Sequence, residues 1–219
     1  MRLPAAVVFD FDGTVVDSET VSRAAMAAAL AEDGHTLTDA DHDAMVGQAW
    51  PATRDHLVAL MGYDDAGIES YRRRVTAAFR SRIDEVVVFD DVRATLDDLA
   101  AGAVPVAICT SSGRAYLDRL LSLRGLGERV AATVAREDTD EHKPRPAPYL
   151  LAARRLGVDP EACVVVEDTP TGIAAARAAG MRVVAVDRGL GLDLSAAHAV
   201  VTEVSTQVLR SVAARQAAT

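Results

Sequence analysis

Two carboxylates, Asp10 and Asp12, stand two residues apart in the string Asp10-Phe11-Asp12-Gly13-Thr14. A pair at that spacing can divide the labour of group transfer. One attacks and the other moves a proton, provided that a cation offsets their repulsion. Three further clusters have comparable potential. Thr110-Ser111 offers hydroxyls and backbone N–H groups, Lys143 offers a positive charge, and Glu167-Asp168 offers oxygen ligands for a hard metal ion. Taken singly, each has a plain structural reading as an acidic turn, a helix cap or a solvated loop lysine. Together they hold the parts of phosphoryl transfer: nucleophile, proton carrier, phosphate donors, a lysine and metal-binding carboxylates.

The elements that must position these groups are legible around them. Ala5-Ala6-Val7-Val8-Phe9 is a continuous apolar run with β-branched residues, which reads as a strand buried on both faces and ending at Asp10. Asp17 or Ser18 can cap a long alanine-rich helix that Gly34 stops. Three more helices are expected: one from Thr38 with Asp41 in a capping-box position, one from Pro51 to Gly62, and one carrying Ile68, Tyr71, Val75, Phe79 and Ile83 on one face. We expect no strand between residues 16 and 84, and a return to the sheet near Val86-Val87-Val88. Beyond that point strand and helix alternate, the signature of a parallel sheet covered by helices. The expected fold is therefore α/β, a core with a mostly parallel sheet formed by residues 1–15 and 86–219, with an all-helical domain at 16–85. Expected core strands are Val104 to Cys109, about Val130 to Val134, Cys163 to Val166, Met181 to Val186 and Ala199 to Val201. Thr110, Lys143 and Glu167-Asp168 each end or follow such a strand. In a parallel sheet those ends lie on one edge, where open α/β sheets bind ligands.

Composition narrows the function classes. A net charge of −9 and a pI of about 5.0 argue against a polyanion-binding surface, and half the residues are hydrophobic, which is globular. No apolar stretch approaches a membrane span, and the first residues lack a signal-peptide pattern. Cys109 and Cys163 sit inside apolar runs and read as core thiols of a reducing cytoplasm. The expected partner is a small phosphorylated metabolite, with no nucleic acid and no membrane, and the chain is expected to be a monomer or weak homodimer.

With these residues in place, the chain resembles the haloacid dehalogenase superfamily over essentially its whole length. The likeness is to the branch with a helical cap inserted after the first motif, the β-phosphoglucomutase-like and phosphoglycolate-phosphatase-like hydrolases. Asp10 to Glu19 is similar to the first motif, Thr110 to the second, Lys143-Pro144 to the third, and Glu167-Asp168 with Thr169 to Ile173 to the fourth. The resemblance implies a Rossmann-like core and a Mg²⁺-dependent phosphatase. Asp10 would carry an aspartyl-phosphate, and Asp12 would protonate the leaving oxygen and then deprotonate water. Mg²⁺ would be held by the Asp10 carboxylate, the Asp12 carbonyl and Asp168, with Glu167 a direct ligand or one step behind. Thr110, the Ser111 amide and Lys143 would bind phosphate, and Gly13 would permit close backbone approach. Trp50 falls where cap residues of relatives reach substrate, and Arg145 stands where it could touch substrate too.

The sequence departs from the family pattern at two points. The third motif usually continues to an aspartate, and here Lys143-Pro144-Arg145-Pro146 is followed by Ala147. The segment rejoining the core usually has a glycine, and here Phe89 is followed by Asp90, leaving the hinge geometry open. A sugar-phosphate mutase is the alternative reading. Against it, Gly13-Thr14 has the phosphatase form, the mutase cap histidine falls on Ser22, and the mutase cap arginine falls on Trp50, although Arg54 could substitute. A non-enzymatic phosphoacceptor domain would lack both the helical insertion and the second carboxylate of the pair.

Overall fold

Val7, Val8 and Phe9 are fully buried, and at about 1.5–3 kcal/mol per large apolar side chain their burial outweighs any difference in strand propensity. They form β1 (Ala6–Phe9), the inner strand of the sheet. The computed structural model describes residues 3–45 and 50–214, and the side chains of Trp50 and Pro51 lie outside that description. The chain divides into two units, Met1–Asp17 with Val88–Thr219, and Ser18–Val87.

In the first unit, β1 is followed by β2 (Val16–Asp17). At the boundary where the chain leaves the second unit comes β3 (Val87–Val88), followed by α5 (Asp90–Ala101), β4 (Val106–Cys109), α6 (Arg114–Leu123), β5 (Ala132–Val134) and α7 (Ala147–Leu156). The unit closes with β6 (Cys163–Glu167), α8 (Pro170–Ala178), β7 (Arg182–Val186), β8 (Ala199–Val201) and α9 (Thr206–Ala214). The main sheet has the order β5-β4-β1-β6-β7-β8, and every pairing is parallel. The chain builds outward from β1 to β4 and β5, then crosses to β6 on the other side. The order thus reverses between β1 and β6, which opens a crevice beyond their carboxyl ends. Because β1 and β6 are buried on both faces, alternation of polar and apolar residues cannot set their register. The carboxylates at their ends, which need partners outside the hydrocarbon, mark where each strand must stop.

Small side chains let α7 and α8 lie close to the sheet. Tyr149, Ala152, Ala153, Ile173, Ala175 and Ala176 pack on Val8, Cys109, Val165 and Val183. Thr169 caps α8 through the Gly172 N–H at 3.1 Å, with Pro170 in the first turn, as the sequence predicts.

The second unit contains α1 (Glu19–Ala31), α2 (Asp39–Met45), α3 (Trp50–Met61) and α4 (Asp65–Ser81) around Met26, Leu30, Met45, Leu57, Ile68 and Tyr71. The capping box at Thr38 and Asp41 is formed in both directions, each bond 3.1 Å long. Ser18 stands at the start of α1 but its side chain makes no cap bond.

Three expectations need correction. Val16–Asp17 is a short strand within a stretch expected to hold none. Val87–Val88 pairs with it in a separate two-stranded ribbon instead of rejoining the main sheet. The strand expected from Val104 begins at Val106, with Pro105 outside it, because proline cannot donate to the ladder. Asp90, where the family usually has a glycine, opens α5 without a positive φ and so needs none, and before it Phe89 is ordinary extended chain, φ −60° and ψ 134°. Its ring instead lies 3.7 Å beneath the Arg188 guanidinium.

Candidate active site

The parallel register determines the meeting of the polar groups. Phe9 is level with Ile108 on one side and Val166 on the other, so Asp10, Cys109 and Glu167 emerge together at the sheet edge. Lys143, from the loop before α7, fills the space between them. Its Nζ donates to Asp10 Oδ1, to Glu167 Oε1 at 2.7 Å and to the Cys109 carbonyl at 3.1 Å. Glu167 is fully buried and both its oxygens are engaged. Oε1 also accepts from the Tyr149 hydroxyl at 2.9 Å, and Oε2 accepts the Asp168 N–H, the Thr169 N–H and the Thr169 hydroxyl, each at 2.9 Å. With its lone pairs taken this way, Glu167 has both carboxylate oxygens bonded within the protein.

Asp168 is held from the other side by the buried Thr14 hydroxyl, 2.9 Å from its Oδ1. Gly13 makes this approach possible. It has φ +77°, and a Cβ there would lie 2.1 Å from Asp168 Oδ2. Only glycine can bring the first-motif backbone so near the fourth-motif carboxylate.

Asp12 has different surroundings. Its Oδ2 accepts from the Ser112 hydroxyl at 2.6 Å and from the Thr110 hydroxyl at 3.4 Å, while its Oδ1 accepts from the Tyr116 hydroxyl at 2.7 Å. Thr110 Oγ1 in turn accepts the Ser112 N–H at 2.9 Å, which tightens the turn between β4 and α6.

Electrostatics separate the carboxylates further. Burial, opposed by Lys143 and reinforced by Glu167 and Asp168, pushes the Asp10 carboxyl well above its ordinary range. Burial and the Glu167 charge raise Asp168 to about 7. Glu167 is burdened by burial too, yet Lys143 and the Thr169 donors bring it below the usual value. Burial works against the Lys143 ammonium, but the Asp10 and Glu167 charges prevail and keep it protonated. One ammonium thus faces three buried carboxylates. That excess of negative charge, on hard oxygen donors, fits a divalent cation of the Mg²⁺ type. Among the described residues no three His, Cys, Asp or Glu side chains form a ligating group by themselves.

Of the residues predicted from sequence, Asp10, Asp12, Gly13, Thr110, Lys143, Glu167 and Asp168 are brought together. Ser111 is exposed in the turn after β4 and Arg145 is exposed before α7. The Trp50 side chain lies outside the described residues. Sequence reasoning missed Thr14, Ser112, Tyr116 and Tyr149. Tyr116 reads as part of the apolar face of α6 with Leu117 and Leu120, and Tyr149 as an α7 core residue; only their hydroxyls' destinations distinguish them. Ser112 was signalled by its place two residues after Thr110.

Comparison with known proteins shows the family. The profile of the haloacid dehalogenase-like hydrolases matches residues 7–186. The chain belongs to this family. It is an enzyme of the hydrolase class, and its α/β fold is that of its relatives. It is 35% identical over 188 residues to fructose-1-phosphate phosphatase YqaB of Escherichia coli K12, covering 83% of this chain and 96% of that protein. It is 33% identical over 191 residues to a phosphoglycolate phosphatase of Xanthomonas campestris pv. campestris, covering 84% of each. Among solved structures, a haloacid dehalogenase family hydrolase from Deinococcus radiodurans R1, with bound phosphate and sodium, superimposes with a TM-score of 0.77. It shares 29% identity, over 99% of this chain and 98% of that one. No helix among the described residues is long and apolar enough to cross a membrane.

Proposed function

We propose that this haloacid dehalogenase-like hydrolase is a Mg²⁺-dependent phosphatase of small phosphomonoesters, of sugar-phosphate or phosphoglycolate type, acting through an aspartyl-phosphate. The observation that carries the reading is the contrast between its first two carboxylates. Asp10 is buried against an ammonium, whereas Asp12 is partly exposed and, among the described residues, held by hydroxyls. Pairs of carboxylates in contrasting environments are how one site runs nucleophilic and acid–base chemistry together. The phosphatase names of the two relatives support phosphomonoester substrates.

In this mechanism an Asp10 oxygen attacks phosphorus while Asp12 delivers a proton to the departing alkoxide. Water then attacks the aspartyl-phosphate, Asp12 takes its proton, and Asp10 is regenerated. Thr110 and the Ser111 amide bind the phosphoryl oxygens, and Lys143 offsets the charge shared by nucleophile and phosphate. The Asp10 carboxylate, the Asp12 carbonyl and Asp168 are the oxygens that would hold Mg²⁺, which when bound neutralises the excess carboxylate and phosphoryl charge. Glu167 belongs behind this set, where it orients Lys143. Trp50 and Arg145 are assigned to substrate selection, in keeping with a cap role for the helical unit, and a cytoplasmic location suits the substrates.

The test is phosphate release from a panel of sugar phosphates and phosphoglycolate, with and without exhaustive chelation. We expect Mg²⁺-dependent release by the wild type and none by a folded Asp10→Asn variant. Release undiminished by chelation would sink the mechanism. Incubation of β-glucose 1-phosphate with a trace of its bisphosphate separates the mutase reading, which requires glucose 6-phosphate to form faster than inorganic phosphate.

A further inference from the structure

The grip on Asp12 carries an inference beyond this mechanism, and it rests on the phosphatase reading just given. Three side chains surround the Asp12 carboxylate, Thr110, Ser112 and Tyr116, and all three present hydroxyls. A general acid–base must pass through both protonation states in one catalytic cycle. An arginine, a lysine or a backbone N–H can only donate, and so would favour the ionised form throughout. A hydroxyl can donate to a carboxylate and, on rotating, accept from a carboxylic acid. The surroundings of Asp12 therefore hold the group in place in both states.

Within this set Tyr116 is held at both its hydroxyl and its ring. Its hydroxyl is 2.7 Å from Asp12 Oδ1. Its ring meets the edge of Phe11, with centroids 6.3 Å apart and planes at 78°. Phe11 is fully buried and directly precedes Asp12 in the chain. The ring is thus located by one residue and the hydroxyl bonded by the next. A phenol on two side-chain torsions, with one end packed in this way, has little freedom to wander. Ser112, four residues earlier, closes the carboxylate from the other oxygen.

We propose that Tyr116 is the positioning residue of the general acid–base. It sets the rotamer of Asp12 so that its carboxyl meets the leaving oxygen in the first half-reaction and the attacking water in the second. As the Asp10 oxygen bonds to phosphorus, the bond from phosphorus to the alkyl oxygen breaks, and the Asp12 proton passes to that oxygen. The Tyr116 hydroxyl then donates to the carboxylate left behind.

Tyr116→Phe keeps the ring and its contact with Phe11 while removing only the hydroxyl. Leaving groups that depart without a proton supply the decisive comparison. With p-nitrophenyl phosphate the phenolate leaves unaided, whereas an alkyl phosphomonoester needs the proton from Asp12. For the alkyl ester that the wild type hydrolyses fastest, we expect kcat/KM of Tyr116→Phe to fall by about tenfold or more. For p-nitrophenyl phosphate we expect it to stay within about twofold, because that step does not draw on general acid catalysis. Added to Asp12→Asn, Tyr116→Phe should cost nothing further on the alkyl ester, since the group it positions is already disabled. Thermal unfolding verifies that the single variant is folded, and Ser112→Ala, which leaves the ring untouched, should show the same leaving-group dependence. Equal losses on both substrates, no loss on either, or a full further loss in the Asp12→Asn background would overturn the proposal while leaving the phosphatase reading intact. A wild type that turns over neither ester would refute both.

Discussion

Lys143→Met replaces the buried ammonium by an apolar chain of similar length, and its effect can be worked out from the contacts. In the native protein Nζ serves Asp10, Glu167 and the Cys109 carbonyl, and its side chain is only 5% exposed. Removing one member of a buried ion pair typically costs about 3–5 kcal/mol, because the partner is left charged and unpaired. Glu167 keeps its four other donors, so most of the loss falls on Asp10. Asp10, already pushed up by burial, is driven higher still once Lys143 no longer opposes that shift. A group whose folded pKa is raised contributes most to stability at low pH and loses that contribution as pH rises. The variant's deficit should therefore be smallest at acid pH and grow as pH rises, by at most about 1.4 kcal/mol per unit for one proton. The growth should be confined to the interval between the wild-type and variant Asp10 values. Urea unfolding of both metal-free proteins at pH 5, 6, 7 and 8 measures this. A deficit that is the same at every pH, or one below about 1 kcal/mol at pH 8, would refute the argument that charge, and not packing, holds this lysine in place.

Gly172→Ala should destabilise by about 3 kcal/mol or more despite the ~1 kcal/mol gain in helix propensity. Its Cβ would lie 1.6 Å from Glu167 Oε1, a side chain with no room to move, and a thermal melt reads the loss directly. Asp168→Ala should weaken Mg²⁺ binding far more than Thr110→Ala, since a hard cation prefers carboxylate oxygen; calorimetric titration giving equal affinities would remove Asp168 from the ligand set. The Arg155 guanidinium, with the Ala135 N–H and Arg114, holds Asp138 down to about 2. A depressed carboxylate stabilises above its unfolded value and loses that contribution as pH falls. Wild type should therefore lose stability relative to Asp138→Asn between about pH 4 and pH 2, modestly because the site is partly exposed, as urea midpoints at successive pH values would show.

What the sequence determined by itself follows from local rules. Apolar runs that end in carboxylates define β1 and β6, because burial favours the run and desolvation expels its end. Thr169-Pro170 and Thr38 with Asp41 are cap chemistry, satisfied within four residues, and so the starts of α8 and α2 were readable. The chemistry-bearing types at the strand ends were readable too, because a parallel sheet brings such ends to one edge whatever the details of packing. Tertiary structure decided the matters that depend on which distant atoms meet. Glu167 and Asp168 are adjacent and both acidic, yet one is saturated by Lys143, Tyr149 and Thr169 while the other faces Gly13 and Thr14. Tyr116 fits the helical period of α6 as well as its leucines do, and nothing local tells that its hydroxyl meets Asp12, 104 positions away. Periodicity reports the face a side chain is on. The partner at the end of that side chain is set by the crossing of β1 between β4 and β6, and that crossing exists only in the folded sheet.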